Sequence, residues 1–322
     1  MTDKSDNVGK RLAWIAADWG SSNLRVWAMD GDDRVIDRAR SEKGMLALSP
    51  AEYEAELLRL VNDWLPERTV RVVVCGMAGA RQGWQEAAYL ALPAALDRLS
   101  QAAVRPRMQD QRLEVVILPG ASQRALDGSG FDVMRGEETQ LAGLLATAPG
   151  FTGLACLPGT HSKWARLDDG ALTRFATYLT GELYELLAGH SVLRHSVTPD
   201  LDDEACRDAF RQAVRESVDQ PERFTNALFT LRARDLLDTT LPGGERRGQL
   251  LGARLSGLVI GQELADATRN LPRDEPVTLI GGAVLTRRYT QALEALERPC
   301  TILDGDAAVL AGLTLAHRTL TD

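Results

Sequence analysis

The chain has 322 residues, 44% of them apolar and 25% charged, which is enough for two domains that each bury a core. Its 37 basic and 45 acidic residues give a formal charge of −8 with no basic block, which argues against nucleic acid or an anionic membrane as the main partner. No apolar run approaches the ~20 residues that span a bilayer, and MTDKSDNVGKR has no hydrophobic signal region. Cys75, Cys156, Cys206 and Cys300 are scattered without a C-x-x-C pair and read as free thiols of a soluble, cytoplasmic protein.

The first predicted strand, LAWIAA, leaves through DWGSSNLR and re-enters a strand at Arg25, with an Asp-Gly turn at Gly31. An ordinary hairpin explains one such stretch, but the pattern recurs. IAADWGSSNLRVWAMDG (residues 15–31) aligns with ACLPGTHSKWARLDDG (residues 155–170) in strand, Gly-Ser or Gly-Thr turn, basic residue, Trp and Asp-Gly turn, the paired glycines eleven residues apart in both. A third strand follows each, RVIDRARS and ALTRFATY, so a duplicated three-strand meander is expected. Between the copies, Ser49, Pro50 and Glu52 form a capping box ahead of a helix, and VRVVVCG and LEVVILPG read as buried strands. CGMAGARQGWQEAAYLALPA is too long for a simple connection; Trp84 and Tyr89 in it are either a binding wall or satellite core. FDVMRGEETQLAGLL opens a helix at Glu137 and Glu138. After the second copy come GELYELLAGH, a mostly helical stretch from about 202 to 270, the strand VTLIGG, and a final strand, turn and helix in TILDGDAAVLAGLTLAHR. Alternation of this kind predicts α/β layering. Rossmann, P-loop, HExxH and GxSxG signatures are absent, and His190, His195 and His317 lack metal-ligand spacing.

Two Gly/Ser/Thr-rich tips, each pointing amides and hydroxyls outward, suit phosphate oxygens. Asp18 in the first would hold Mg²⁺ or its waters, while the second carries His161 and Lys163 but no acid, which suits a nucleoside triphosphate with one metal ion gripped across a cleft. Glu137 and Glu138 are either helix N-terminal charges or a general base, Glu137 being favoured of the two. Arg135 either binds a substrate carboxylate or pairs with Glu138, and Arg81 is a second cation for that carboxylate. Gly181 with Glu182 is a helix start or a substrate contact, and Gly281 with Gly282 allows a base or ribose close approach or is only a tight turn.

DWGSSNLR, GMAGARQGW, VMRGEETQL, LPGTHSKW, TGELYELL and the final D-G-D-A-A-x-x-A-G-L, spread from about residue 14 to 315, resemble the 2-dehydro-3-deoxygalactonokinase family of the actin, hexokinase and heat-shock chaperone ATPase superfamily. The resemblance implies an α/β protein of two duplicated ribonuclease-H-like domains flanking a nucleotide cleft: residues 1–148, completed by 306–322, and residues 149–305. It implies phosphorylation of 2-dehydro-3-deoxy-D-galactonate to its 6-phosphate with ATP and Mg²⁺ in galactonate degradation. Asp18, Gly20, Ser21, Ser22, Asn23 and Arg25 would form one phosphate loop and Gly159, Thr160, His161, Ser162 and Lys163 the other, with Gly281 and Gly282 at the adenosine. Glu137 or Glu138 would be the base, Asp18 the metal ligand, and Arg81, Trp84, Arg135, Gly181 and Glu182 the sugar-acid contacts. An exopolyphosphatase-like phosphohydrolase, a non-catalytic sugar-binding regulator and an actin-like filament protein are the rivals; oligomeric state, homodimer included, stays open.

Overall fold

The computed structural model describes residues 8–124 and 130–321. The chain divides into two compact units, one made of the residues up to 152 with 166–175 and the segment from 305 onward, the other of 153–165 and 176–304. In chain order the first segment holds β1 (Trp14–Trp19), β2 (Leu24–Met29), β3 (Val35–Ser41), α1 (Tyr53–Val61), β4 (Val70–Gly76), β5 (Tyr89–Ala91), β6 (Ala94–Ala95), β7 (Leu113–Ile117), β8 (Gly120–Arg124), β9 (Phe131–Met134) and α2 (Glu137–Thr147). Then follow β10 (Gly153–Leu157), β11 (Ser162–Asp168), β12 (Ala171–Tyr178), α3 (Thr180–His190), α4 (Glu204–Asp219), α5 (Phe224–Leu237), α6 (Glu245–Ala267), β13 (Val277–Gly281), α7 (Ala283–Ala295), β14 (Cys300–Asp304) and α8 (Gly305–Thr321).

The first unit's main sheet runs β3-β2-β1-β4-β7, the meander antiparallel and β1, β4 and β7 parallel. Both faces are covered, and the period of two sorts each strand between them. Ile15, Ala17 and Trp19, with Val70, Val72 and Val74, pack on Tyr53, Leu57 and Val61 of α1. Trp14, Ala16, Val73 and Cys75 pack on Val309, Leu313 and Ala316 of α8. Asp18 shares the parity of the second set, so its carboxylate emerges on the α8 side. The capping box forms as expected, with Glu52 receiving the Ser49 backbone N–H at 2.7 Å. The first turn differs from expectation. It spans residues 30–34 and bends at Asp33 (φ 60°) rather than at Gly31, because the Asp30 carboxylate receives the N–H groups of Asp32 and Arg34. The Asp169-Gly170 turn, both residues at positive φ, is the tight two-residue hairpin anticipated. A small sheet, β5-β8-β9, was not foreseen. Ala171 and Leu172 pair antiparallel with Ala95 and Ala94.

Two glycines let α2 and α8 touch backbone to backbone. A Cβ on Gly143 would lie 1.8 Å from the Ala308 carbonyl oxygen, and one on Gly312 would lie 1.9 Å from that of Thr139. Gly312→Ala therefore destabilises the protein by about 1–3 kcal/mol in urea unfolding, the range for an overpacked interior. Full stability in that variant would contradict this packing.

Strands β10, β13 and β14 are parallel, in a six-stranded sheet of order β14-β13-β10-β11-β12-β6. The four- and two-residue connections of β10-β11-β12 join only antiparallel neighbours. Helix α6 is buried nearly all round, the mark of a core helix. Cβ atoms at its Gly257 and Gly261 would fall 2.4 Å and 2.8 Å from the carbonyl oxygens of Phe210 and Val214 on α4, which brings these helices close.

Candidate active site

In the first unit, the β1–β2 register places Asp18 opposite Arg25. The Arg25 guanidinium bridges two carboxylates, Asp18 and Asp306 in the first turn of α8. Desolvation works against this charge, and Asp18 foremost outweighs it, so the guanidinium pKa is raised. Cys75, Asp18's neighbour across the parallel pair, has its thiol 3.6 Å from that carboxylate. Burial, then the Asp18 and Glu138 charges, push the thiol well up, so it stays protonated. Ser21, Ser22 and Asn23 at the tip are exposed. Their backbone is backed by Gly44, where a Cβ would clash at 2.3 Å with Ser21, and is tied by the Met45 and Leu46 N–H groups to the carbonyls of Gly20 and Ser21.

Gly76 (φ 86°) ends β4 against the Trp19 carbonyl, and Gly136 (φ 108°) starts α2 with its Cβ direction aimed at Gly76 Cα, 3.4 Å away. This close approach sets the first turn of α2 beside the end of β4. The two acids there differ. Glu138 is fully buried, its carboxyl receiving the Gly136 N–H at 2.8 Å and the Thr139 hydroxyl at 3.0 Å. Burial first, then the Glu137 charge, push its pKa up to about 8. Glu137 is partly exposed, and its Oε2 receives the Arg135 N–H at 3.1 Å.

A carboxyl whose folded pKa lies above the ordinary 4.5 binds its proton more tightly when folded. Its contribution to stability is present at low pH and is lost as pH rises through about 8. Relative to Glu138→Gln, the wild type should therefore lose a few kcal/mol of stability between about pH 5 and about pH 8. Urea unfolding at both pH values checks this, and a constant difference would contradict the protonated state.

Arg135 does not pair with Glu138. Its side chain is buried, gives a hydrogen bond to the Ala87 carbonyl at 2.8 Å, and lies under the Tyr89 ring at 4.2 Å; its Nε and Nη1 have no hydrogen-bond partner among the described residues. Gly79 makes room for it, since a Cβ there would stand 2.7 Å from Nη1. Arg81 is exposed and 3.5 Å from Glu86. Trp84 stacks on Tyr53 and meets Trp19 edge-on, so it packs as satellite core.

In the second unit, Gly159, Thr160 and His161 form the turn, with Thr160 and His161 exposed. Ser162 is fully buried and bonded to the Tyr289 hydroxyl at 2.8 Å, and Lys163 folds inward to give a hydrogen bond to the His161 carbonyl at 2.9 Å. Gly181 packs on the same turn, 2.6 Å from the Gly159 oxygen at its would-be Cβ, while Glu182 takes His161 at 2.5 Å and gives its N–H to the Thr160 carbonyl. Gly181 and Glu182 thus buttress the second loop.

Beside this turn lies a cavity of about 350 Å³, of a size for a nucleoside, walled by Gly159 and Gly181, by Tyr184, and by Ser256, Val259 and Ile260 of α6. Val284, Leu285, Arg287 and Arg288 of α7 close another side. Arg288 is ion-paired with Asp200 and lies over Phe210, and Arg287 reaches Asp202 at 2.7 Å. Gly281 lines a separate hollow with Thr286, Ile302 and Asp304. Neither glycine of the pair is required by the protein's own packing, since a Cβ on Gly282 would meet nothing within 4 Å and one on Gly281 makes only ordinary contacts.

Residues 18–316 match the profile of the 2-keto-3-deoxy-galactonokinase family. The chain belongs to that family. It is 38% identical to Rhizobium meliloti DgoK1, described as a probable 2-dehydro-3-deoxygalactonokinase, over 95% of this chain and 97% of that one. It is 36% identical to the 2-dehydro-3-deoxygalactonokinase of Escherichia coli over 94% and 97%. A crystal structure of a Sinorhizobium meliloti homologue superposes with a TM-score of 0.87 at 37% identity, covering 95% of this chain and 99% of that one. The fold of this family member is α/β with mixed sheets.

Sequence reasoning missed several residues that shape this family member's two candidate loops and their surroundings. Gly44 behind the first loop gave no signal beyond its being a glycine after a strand. Asp306 lies 281 residues from Arg25. Glu263 sits inside an almost wholly buried helix, where an acid is itself unusual. Among the described residues no cluster of three or more metal-ligating side chains exists, and no helix is long and apolar enough to cross a membrane.

Proposed function

We propose that the protein is a cytoplasmic kinase that transfers the γ-phosphoryl group of ATP to the terminal hydroxyl of 2-dehydro-3-deoxy-D-galactonate, giving the 6-phosphate in galactonate degradation. The observation that carries this is the full-length relationship to two curated proteins of that name, 36–38% identical over nearly the whole chain. The order of the first sheet, β3-β2-β1-β4-β7, matches that of five of the six strands of the second, β12-β11-β10-β13-β14, which supports a duplicated, ribonuclease-H-like origin of the domains, residues 1–148 with 306–322 and residues 149–305.

In this reading the second unit receives the nucleotide. Its cavity takes the nucleoside, and Gly159, Thr160 and His161 present amides and side chains to phosphate, with Lys163 and Ser162 shaping the turn from beneath; Gly281, in the separate hollow, and Gly282 lie outside that cavity's lining. In the first unit, Gly20, Ser21, Ser22 and Asn23 offer further phosphate donors. A lone carboxylate, Asp18, fits a metal that arrives largely coordinated by phosphate and water, as Mg²⁺ does. Such an ion supplies neutralisation of the transferring charge. Arg25 holds Asp18 in position from one side and Asp306 from the other. Glu137, held by the Arg135 amide, takes the proton of the attacking hydroxyl, while Glu138, buried and protonated at neutral pH, anchors the helix start. Arg135 is the cation for the sugar carboxylate. A guanidinium this buried, with two nitrogens that find no partner among the described residues, is costly unless an anion completes it.

Initial rates of ADP formation with ATP and Mg²⁺ test the substrate. The galacto acid should be required, and its gluconate epimer and plain galactonate should be poor acceptors. ATP turnover indifferent to any sugar acid would overturn the kinase reading in favour of a phosphohydrolase.

A further inference from the structure

One face of α6 presents Ser256, Val259 and Ile260 to the nucleoside-sized cavity and, a turn further on, Glu263, which is 2% exposed. Three side chains converge on this carboxylate. Trp164 Nε1 donates to Oε1 at 2.6 Å, the Tyr289 hydroxyl donates to Oε2 at 2.8 Å, and the Thr180 hydroxyl also donates to Oε2. An indole N–H only donates, and Tyr289, having given its one proton to Glu263, must accept from Ser162 Oγ at 2.8 Å. Donation therefore runs in one direction, from Ser162 to Tyr289 to Glu263.

Each donor comes from an element of the nucleotide site. Ser162 and Trp164 bracket Lys163 directly after the Gly159–His161 turn. Thr180 opens α3 and is followed by Gly181, the residue packed on that turn. Tyr289 belongs to α7, and both Thr180 and Tyr289 line the cavity itself. A buried acid is costly in a helix interior, and an apolar residue would pack that position of α6 as well. What Glu263 supplies that such a residue would not is one acceptor joining three separate elements in fixed register.

We propose that Glu263 is a positioning residue for the nucleotide: without touching it, the carboxylate fixes the second loop, the start of α3 and the flank of α7 in the arrangement that receives phosphate and nucleoside. This rests on the kinase reading above. Glu263→Gln preserves size but replaces one acceptor oxygen with a donor. Calorimetric titration with ADP should show affinity weakened about tenfold, the scale of one lost hydrogen bond to a charged group. The KM for ATP should rise in parallel, while the KM for the sugar acid should stay within about twofold. Tyr289→Phe, which removes the hydroxyl that donates to Glu263 and accepts from Ser162 but leaves Trp164 and Thr180 on the carboxylate, should weaken ADP about threefold. Folded Glu263→Gln with wild-type ADP affinity, or with both KM values raised alike, would overturn the proposal. If Glu263→Gln does not fold, wild-type ADP affinity in Tyr289→Phe overturns it. Wild-type protein that binds no ADP overturns the kinase reading and this inference together, whereas binding unchanged by either substitution overturns this inference alone.

Discussion

Glu137→Gln lowers kcat by about 10²–10⁴ and leaves ADP affinity within about twofold, the result expected when a positioned general base is removed. The substitution is nearly isosteric, and an amide oxygen can still receive the Arg135 N–H that Glu137 receives at 3.1 Å. What disappears is the capacity to accept a proton. Glu138→Gln serves as the control, because its carboxyl is fully buried, engaged by Gly136 and Thr139, and pushed up to about 8 by burial. It should alter the pH dependence of stability far more than kcat. If Glu137→Gln keeps near-wild-type kcat while Glu138→Gln loses it, the roles of the two acids are reversed.

Asp18→Asn lowers kcat/KM by about 10²-fold or more, the scale of losing a group that stabilises charge at a transferring phosphoryl. The alternative cause, collapse of the loop, is disfavoured by Arg25. Its guanidinium also pairs with Asp306, so the hairpin stays tethered to α8 when one carboxylate is neutralised. The loop backbone has its own support in Gly44 and in the Met45 and Leu46 amides. Stability should accordingly fall by no more than about 1 kcal/mol. The Mg²⁺ concentration giving half-maximal rate should rise, a shift that a loosened loop alone would not produce. Unchanged magnesium dependence with a large stability loss would reduce Asp18 to a structural role.

Local features were legible in the sequence because they are written in adjacent residues. The Ser49–Glu52 box, the strand VRVVVCG as Val70–Gly76 and ALTRFATY as Ala171–Tyr178 all form where their patterns lie. The Asp18–Arg25 relation follows from hairpin register. Contacts made across the chain were not legible. The Arg25–Asp306 pair, the α2–α8 glycine contact and the Gly44 backing depend on which surfaces meet, and that is set by packing rather than by local pattern. Spacing alone did not separate Glu137 from Glu138; in the fold they differ, one partly exposed and the other fully buried. For Gly181 and Glu182 the sequence left a helix start and a sugar contact open; in the fold both begin a helix and brace the Gly159–His161 turn. LPGTHSKW gave no sign of the contacts that Ser162 and Lys163 make, Ser162 bonded to Tyr289 and Lys163 folded onto the His161 carbonyl.

Phosphorus NMR of the complete reaction, with ATP, Mg²⁺ and 2-dehydro-3-deoxy-D-galactonate, tests the central claim most directly. The account predicts a phosphomonoester coupled to the two C6 methylene protons, formed in equal amount with ADP. Free inorganic phosphate accompanying ADP, with no ester, would contradict it.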